Sequence, residues 1–351
     1  MTRAWQITLG VEGSGDEASR AELVEIDDDS IAPADGGAVA ADVEVVVSWS
    51  GLNYKDALAF AGNRGVVRTS PLVPGIDVVG AVRASTNARW STGDRVVLNG
   101  AGAGETRHGG LAERAVLDGD TLVATPSVFT DAQAAGIGTA GFTAMLAVLA
   151  LERHGITSGD VLVTGASGGL GSFAIALLTR AGFTVTAATG RPENAARLHA
   201  LGATTIIDRA ELDRPSRALE SQRWAGIIDS VGGVALATGL AQLQQFGAAI
   251  ACGNAASPEL ATTVMPFILR GTALLGVNSS LTPLPLRQQA WARLARDLDP
   301  ATVDCIAQPI ELDRVADRAV DVLAGRVVGR LSVRVAGATA STALTMTPEA
   351  S

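Results

Sequence analysis

The chain has 351 residues, 47% of them hydrophobic and 18% charged, which predicts two domains or one large domain with an insertion. The net charge of −9 argues against a nucleic acid as the main partner, because phosphate backbones require a basic face. Two cysteines without a CxxC pair exclude a disulfide framework and a four-cysteine zinc lobe. We expect a cytoplasmic protein, since the N-terminus lacks a signal-peptide core and the most apolar stretch, 135–151, is interrupted by Gly and Thr.

Residues 1–125 predict a β-rich domain. The stretch ADVEVVVSWS alternates polar and apolar residues as a strand does, and VVGAVRAS and GDRVVLNG are β-branched runs bounded by turn residues. Strand signals recur about every ten residues, a spacing typical of all-β modules. The sequence therefore indicates a partly closed β domain.

The pattern changes near residue 126. A helical stretch ends at Gly155, and strands then alternate with helices, as in parallel βαβ units, so 126–270 are predicted to form a second domain. Within it, ALATGLAQLQQFG is predicted to be a helix and AAIACGN the next strand. Residues 271–336 are predicted to complete the sheet and return to the first domain through two helices and the strand GRLSVRVA. Residues 337–351 are predicted to be a disordered tail.

Residues 160–178, DVLVTGASGGLGSFAIALL, predict a binding site for a dinucleotide. An apolar strand leads into a glycine-rich turn, and a helix is expected from about Gly171. Small residues let the backbone approach a diphosphate, which then faces the free N–H groups of the helix N-terminus. On the G-x-G-x-x-G pattern the positions fall on Ala166, Gly168 and Gly171. The structural alternative is a turn that only packs a helix on a strand.

The end of the next strand favours a phosphorylated coenzyme. NAD enzymes carry an acidic residue about 20 residues after the glycine loop, which holds the ribose 2′-hydroxyl. This chain has Thr189, Gly190 and Arg191 there. A guanidinium binds a 2′-phosphate, which a carboxylate would repel, so we predict NADPH. The alternative for Arg191 is a solvated residue that opens the next helix.

A β-rich domain ahead of a dinucleotide domain resembles the medium-chain dehydrogenase/reductase superfamily. In its alcohol dehydrogenase branch a cysteine zinc ligand stands in the stretch that matches LNYKDAL, and a histidine ligand follows a proline-glycine. Here the first stretch holds Asn53, Tyr54 and Asp56, and the second holds Ile76 and Asp77. The three histidines are scattered singly. We therefore predict that no metal is bound.

Several stretches resemble one zinc-independent branch of this superfamily, the YhdH/AcuI-type acrylyl-CoA reductases of the quinone-oxidoreductase-like group. These stretches run in order over roughly 45–300. They include LNYKDALA, VPGIDVVG, GGLAERA, IGTAGFTAMLAVLALE, WAGIIDSVGG and TTVMPFILRG. The resemblance implies an α/β fold with a GroES-like β-rich catalytic domain and a Rossmann cofactor domain with a doubly wound parallel sheet. It also implies a homodimer that reduces acryloyl-CoA to propanoyl-CoA with NADPH.

The resemblance implies site residues as well. Catalytic roles fall on Tyr54, Asn53 and Asp56. Tyr54 could instead be a half-buried residue at a domain junction, and Asp56 could orient its neighbours or form a turn. Its neighbour Lys55, the only lysine, is predicted to be a solvent-facing charge. The implied cofactor contacts are Tyr54, Ser167, Gly168, Gly169, Leu170, Thr189, Gly190, Arg191, Arg209, Asn254, Ile268 and Ser279. Asn254 and Asn278 depart from the Leu and Asp expected in the family.

Coenzyme A carries a 3′-phosphate and a diphosphate, so basic residues are expected along an entrance groove. Arg64, Arg68 and Arg107, in predicted loops, are the candidates, and each could also be an ordinary surface arginine. Two other functions remain open. One is an NADPH:quinone or general enone reductase on the same scaffold. The other is a catalytically silent NADPH-binding redox sensor, because a fold does not fix a function.

Overall fold

The computed structural model describes residues 1–10, 19–31 and 41–335. The predicted disordered tail, 337–351, lies outside the described residues. Near the N-terminus, β1 (Thr2–Thr8) and β2 (Arg20–Ile26) form an antiparallel pair. The isolated bridges Ala4–Ala112 and Ile7–Leu72 join this pair to the rest of the β-rich domain.

A seven-stranded sheet forms the predicted β-rich domain. Its strands are β3 (Val43–Leu52), β4 (Asp77–Ser85), β5 (Arg95–Asn99), β6 (Arg114–Leu117), β7 (Val123–Ala124), β14 (Ala307–Glu311) and β15 (Arg330–Arg334). Their order is β14-β15-β3-β4-β5-β7, with β6 also paired to β3. The strands β14 and β15 are parallel to each other, and β15 runs antiparallel to β3. The late strands β14 and β15 thus join the same sheet as the early strands β3–β7.

A six-stranded parallel sheet forms the second domain. Its strands are β8 (Asp160–Val163), β9 (Thr184–Thr189), β10 (Thr205–Asp208), β11 (Trp224–Asp229), β12 (Leu243–Ala251) and β13 (Ala273–Gly276). The order β10-β9-β8-β11-β12-β13 is that of a doubly wound Rossmann sheet. The strand order reverses between β8 and β11, and ligands of such sheets bind at the carboxyl ends of the strands at this point. The predicted fold class is confirmed.

Nine helices lie in the part of the chain that the structure describes. They are α1 (Tyr54–Phe60), α2 (Asp131–Arg153), α3 (Gly169–Arg180), α4 (Ala195–Ala200), α5 (Gly233–Ala241), α6 (Met265–Arg270), α7 (Leu284–Asp297), α8 (Pro300–Ile306) and α9 (Val315–Leu323). Asn53 begins α1 with a capping box, and Thr130 begins α2 in the same way.

The helix α2 connects the cores of both domains. It contacts β3, β4 and β15 on one side and α3 on the other. By length and composition it could cross a membrane, but 83% of its most apolar window is buried inside the protein, as expected of a core helix. Its helical geometry is interrupted at Gly138, whose φ is 42°. A Cβ at Gly138 would lie 2.6 Å from Oδ2 of Asp77, so a larger residue does not fit at this interruption.

One predicted boundary is wrong. The sequence predicted a helix over 235–247, but α5 ends at Ala241 and β12 begins at Leu243. The backbone of Gly247 passes so close to β11 that a Cβ would lie 2.8 Å from the carbonyl oxygen of Ala225. This tertiary pairing overrides the local helical spacing. The elements α6, α8 and β14 were not predicted at all.

Candidate active site

A cleft of about 1160 Å³ lies between the two domains. Segments that follow the carboxyl ends of β8, β9, β11, β12 and β13 form one wall, as the reversal in strand order predicts. The opposite wall comes from the turn before α1, from α2 and from the segment around β15. The volume exceeds the roughly 300–1000 Å³ of a typical small-molecule site, so the cleft has room for two ligands side by side.

The glycine-rich turn after β8 is built for close approach of a ligand. Gly165 has a φ of 59°, which favours glycine. A Cβ at Gly171 would lie 2.5 Å from the carbonyl oxygen of Gly165, so the helix and the turn can meet only because this residue is glycine. The helix α3 begins at Gly169, two residues before the expected start. Its first residues line the cleft, and the free N–H groups of a helix N-terminus can hold an anion.

Two arginines flank the turn that follows β9. Arg191 donates from its backbone N–H to Oγ1 of Thr189 over 3.1 Å, and the Thr189 hydroxyl lies 2.8 Å from the Ser167 hydroxyl. Arg209 passes directly over Gly190, since a Cβ there would lie 2.6 Å from its Nε. The Arg209 guanidinium has no hydrogen-bond or ion-pair partner among residues 1–10, 19–31 and 41–335. This arrangement can bind a phosphate outside the sheet.

Across the cleft, Tyr54 is the first residue of α1. Its side chain lines the cleft, remains 44% exposed and has no hydrogen-bond partner within the described residues. Its backbone is fixed by the capping box, in which Asp56 Oδ2 accepts from the Asn53 backbone N–H over 2.8 Å. The phenol hydroxyl is therefore held on a rigid turn and is free to donate to a ligand.

Beneath this turn lies a buried polar group, which we call the Asp77 hub. Asp77 is fully buried and forms an ion pair with Arg330, which is 3% exposed. Its carboxylate also accepts from Asn53 Nδ2 over 2.8 Å and from Asn99 Nδ2 over 2.8 Å. Thr139 donates to it from both its backbone N–H (2.9 Å) and its hydroxyl (2.7 Å). The hub thus connects β4, β5, α2, β15 and the turn before α1.

The hub extends to α7 and to Asp56. Trp291 of α7 donates to Oδ1 of Asn99 over 3.1 Å. Asn53 also donates from Nδ2 to Asp56 over 2.9 Å. Burial, with a smaller contribution from the Asp77 charge, raises the pKa of Asp56 to about 6, although N–H donors from Asn53 and Ile76 act in the opposite direction. Asp56, predicted to be catalytic, does not line the cleft, and its hydrogen bonds with Asn53 connect it to a residue that does.

A second buried carboxylate supports the wall that the parallel sheet forms. Asp229, at the end of β11, accepts from Oγ1 of Thr164 over 2.6 Å and from the backbone N–H of Gly232 over 2.7 Å. These bonds hold the turn after β11, which lines the cleft. Burial raises the pKa of Asp229. Burial and the neighbouring Asp229 charge raise the pKa of the Cys252 thiol, which also lines the cleft.

The structure brings all the predicted cofactor contacts but one to the cleft. The exception is Ile268, which lies on α6, is 67% exposed and is not among the lining residues. The predicted groove arginines do not line the cleft either. Their guanidinium groups donate to backbone carbonyls, Arg64 to Gly10, Arg68 to Gly65 and Arg107 to Ala101. These carbonyl bonds hold the three guanidinium groups on backbone segments that do not line the cleft.

Sequence reasoning missed two basic residues of the cleft. Arg330 lines it from β15, and its partners Asp77 and Asn53 are more than 250 residues away in sequence. Lys55, predicted to be solvent-facing, also lines the cleft and pairs with Glu105 over 2.9 Å. The isolated occurrence of a lysine beside the only tyrosine was the one signal that could have placed Lys55 at the site.

Residues that could ligate a metal do not converge here. In the described ranges, no group of three or more His, Cys, Asp or Glu side chains could hold a metal ion. His108 is engaged instead in the β-rich domain, where its Nδ1 accepts from the backbone N–H of Val73 over 2.9 Å, and burial lowers its pKa. Within the described ranges, the groups that the cleft presents to a ligand include hydrogen-bonding side chains, backbone groups and the cationic side chains of its arginines and lysine.

Comparison with known proteins agrees with this geometry. Residues 39–127 match the alcohol dehydrogenase GroES-like domain, and residues 169–296 match the zinc-binding dehydrogenase family. The chain is 47% identical over 296 residues to the probable acrylyl-CoA reductase AcuI of Escherichia coli, covering 84% of this chain and 91% of that protein. It is 40% identical over 296 residues to the putative quinone oxidoreductase YhfP of Bacillus subtilis, covering 83% and 90% of the two chains.

A solved structure is similar over nearly the whole fold. The yhdH oxidoreductase from Salmonella enterica, in complex with NADP, is 44% identical and superposes with a TM-score of 0.88. The alignment covers 96% of this chain and all of the other. With its GroES-like domain, its Rossmann sheet and these relatives, the chain belongs to the YhdH/AcuI-type acrylyl-CoA reductase family of the medium-chain dehydrogenases/reductases.

Proposed function

We propose that this chain uses NADPH to reduce the activated C=C bond of acryloyl-CoA, giving propanoyl-CoA. One observation carries the proposal: a single cleft joins the glycine-rich turn and two arginines on one wall to the exposed hydroxyl of Tyr54 on the other. The relatives support it, since one is named a probable acrylyl-CoA reductase and a similar structure holds NADP.

The wall formed by the segments that follow the strands of the parallel sheet, which we call the Rossmann wall, fits NADPH. The turn over Ser167–Leu170 and the start of α3 would hold the diphosphate, because their backbone approaches without side-chain obstruction. Arg191 and Arg209 would hold the 2′-phosphate beside Gly190. Asn254 and Ser279, at the ends of β12 and β13, are proposed contacts further along the cleft. When bound, the nicotinamide supplies the hydride for the β-carbon of the substrate.

The opposite wall would stabilise the negative charge that forms during the reaction and would supply a proton. Reduction of an enoyl thioester places negative charge on the thioester oxygen, which preorganised donors stabilise. Tyr54 is such a donor, since its hydroxyl faces the cleft and no described residue occupies it. We propose that Tyr54 donates a hydrogen bond to this oxygen or the proton that completes the reduction. Asn53 would position Tyr54 through the capped turn, and Asp56 would position Asn53.

The experiment measures NADPH oxidation with acryloyl-CoA, crotonoyl-CoA and a benzoquinone in parallel. We expect acryloyl-CoA to give the largest kcat/KM. Preference for the quinone would support the runner-up, an NADPH:quinone or enone reductase, which the similarity to YhfP favours. Binding of NADPH without turnover of any acceptor would support the silent redox sensor.

Replacement of Tyr54 by Phe tests the donor role. It removes only the hydroxyl, so we expect kcat/KM for acryloyl-CoA to fall at least tenfold, about 1.4 kcal/mol of transition-state stabilisation. The dissociation constant of NADPH, measured by fluorescence, should change little. Kinetics close to wild type would assign Tyr54 to packing alone. The homodimer and the cytoplasmic location remain predictions, and light scattering of the purified protein tests the first.

A further inference from the structure

The charges that line the cleft differ in sign from the protein as a whole. The chain carries a net charge of −9. Yet the described lining residues include four basic side chains and a single acidic one. The basic residues are Lys55, Arg191, Arg209 and Arg330, and the acidic residue is Asp213. A cleft of this composition attracts ligands that carry several negative charges.

Three of these cations already have a role. Arg191 and Arg209 lie beside Gly190, on the Rossmann wall. Arg330 is buried and neutralised by Asp77 within the hub. Lys55 is therefore the one lining cation on the wall of the β-rich domain, in the described ranges, whose charge a ligand can reach.

The surroundings of Lys55 leave it available. Its side chain is 36% exposed, and its only described partner is Glu105, whose Oε1 lies 2.9 Å from Nζ. An ammonium group has three N–H donors, so this pair leaves capacity for a second acceptor. Ser280 also donates to Oε1 of Glu105 over 3.4 Å, and Ser280 lines the cleft beside Ser279. Glu105 thus links two residues that line the cleft, Lys55 and Ser280, without lining it itself.

We propose that Lys55 binds a phosphate group of the coenzyme A part of the substrate, and that Glu105 is the resident counter-ion with which this phosphate competes. The inference rests on the proposed function, because it assigns the end of the substrate that does not react. A compact ammonium forms strong charge-assisted hydrogen bonds with phosphate oxygens. Lys55 then takes the role that the sequence assigned to Arg64, Arg68 and Arg107.

The experiment uses two substitutions in the Lys55–Glu105 pair. If the pair were purely structural, both substitutions would have the same effect on KM. Lys55→Gln removes the cation, and Glu105→Gln removes its competitor. Each protein is assayed with acryloyl-CoA, acryloyl-dephospho-CoA and the acryloyl thioester of N-acetylcysteamine, which carries no phosphate. Thermal unfolding verifies that both variants are folded, and Lys55→Arg keeps the charge as a control.

For acryloyl-CoA we expect Lys55→Gln to raise KM about tenfold, or 1.4 kcal/mol, and Glu105→Gln to lower it. Lys55→Arg should stay near wild type. The KM for the N-acetylcysteamine thioester should stay within about twofold of wild type in all three variants. If the contact is the 3′-phosphate, the effect of Lys55→Gln disappears with the dephospho substrate, whereas a diphosphate contact preserves it. Equal shifts of KM for all three thioesters, or no shift, would overturn the proposal.

Calorimetric titration of free coenzyme A into the wild type and Lys55→Gln separates this inference from the proposed function. Binding that weakens about tenfold in Lys55→Gln supports the Lys55 contact, even if no thioester is reduced and the proposed function fails. Reduction of acryloyl-CoA with unchanged binding and KM in Lys55→Gln refutes the contact alone. If coenzyme A does not bind the wild-type protein and no thioester is reduced, both proposals are wrong.

Discussion

The buried ion pair of the Asp77 hub makes a prediction about stability. In Arg330→Met the side chain keeps similar volume but loses its charge. Asp77 would remain fully buried as a carboxylate, with donors from Asn53, Asn99 and Thr139 but no cation. Breaking a buried pair by removing one partner costs about 3–5 kcal/mol, because the remaining charge is uncompensated. We therefore expect Arg330→Met to lower the free energy of unfolding by about 4 kcal/mol.

The double variant Arg330→Met/Asp77→Asn has no buried charge. Its free energy of unfolding is still lowered, because donors of the hub lose a good acceptor. Each donor that is left without a partner costs about 1–3 kcal/mol. We expect it to be more stable than Arg330→Met alone, and its cost to fall short of the sum of the two single variants by about 2 kcal/mol or more. This coupling measures the interaction within the hub.

Urea unfolding followed by tryptophan fluorescence and by circular dichroism provides the measurement. Trp291, which donates to Asn99 within the hub, is one of five tryptophans that contribute to the fluorescence signal. Coincidence of the fluorescence and circular dichroism transitions tests for two-state behaviour. The matched control is Arg326→Met, which breaks an exposed pair with Asp321 and should cost about 1 kcal/mol or less. The reasoning fails if Arg330→Met costs no more than this control, or if the double variant shows no coupling.

Two further predictions concern the coenzyme and pH. Arg191→Glu should raise KM for NADPH at least tenfold more than KM for NADH, as measured by initial rates. The control Arg180→Glu, on the exposed end of α3, should change neither KM. Equal effects on both coenzymes would remove Arg191 from the 2′-phosphate site. The pKa of Asp56 is raised from 3.8 to about 6, so the folded protein binds more protons than the unfolded chain between these values. Its contribution to the free energy of unfolding therefore falls as pH rises through this window, by up to about 3 kcal/mol. Asp56→Asn should flatten this dependence in urea unfolding at pH 4.5 and pH 7, and an unchanged slope would contradict the assignment.

Local pattern was sufficient to predict the elements with strong periodicity. The glycine-rich turn, the alternating strands and helices and the final strand GRLSVRVA occur where expected, because each carries its own signal in a short window. The boundary near Leu243 failed because pairing with β11 decides it, and that partner lies outside any local window. The short helices α6 and α8 have too few turns for a clear period.

The site shows the same division between residues with a local sequence signal and contacts between residues far apart in the sequence. The glycine-rich turn and the residues Thr189–Arg191 were predictable because strand ends converge at one edge of a parallel sheet. Arg209, Asn254 and Ser279 were expected only because the family resemblance implied them. The Asp77 hub was not, since Arg330 meets Asn53 across 277 positions and no spacing rule encodes that contact. The groove arginines were predicted because they are basic residues in loops. Their guanidinium groups donate to backbone carbonyls instead.

The return of β14 and β15 to the first sheet sets the order in which the chain can mature during synthesis. All six strands of the parallel sheet lie between residues 160 and 276, and α7 and α8 complete the buried core beside it by Ile306, so that domain can fold before β15 has emerged. The β-rich domain, although translated first, must wait for residues 307–334. We expect nascent chains arrested before Arg330 to contain a formed nucleotide-binding domain beside an unfinished partner, so that reductase activity emerges only at the end of translation.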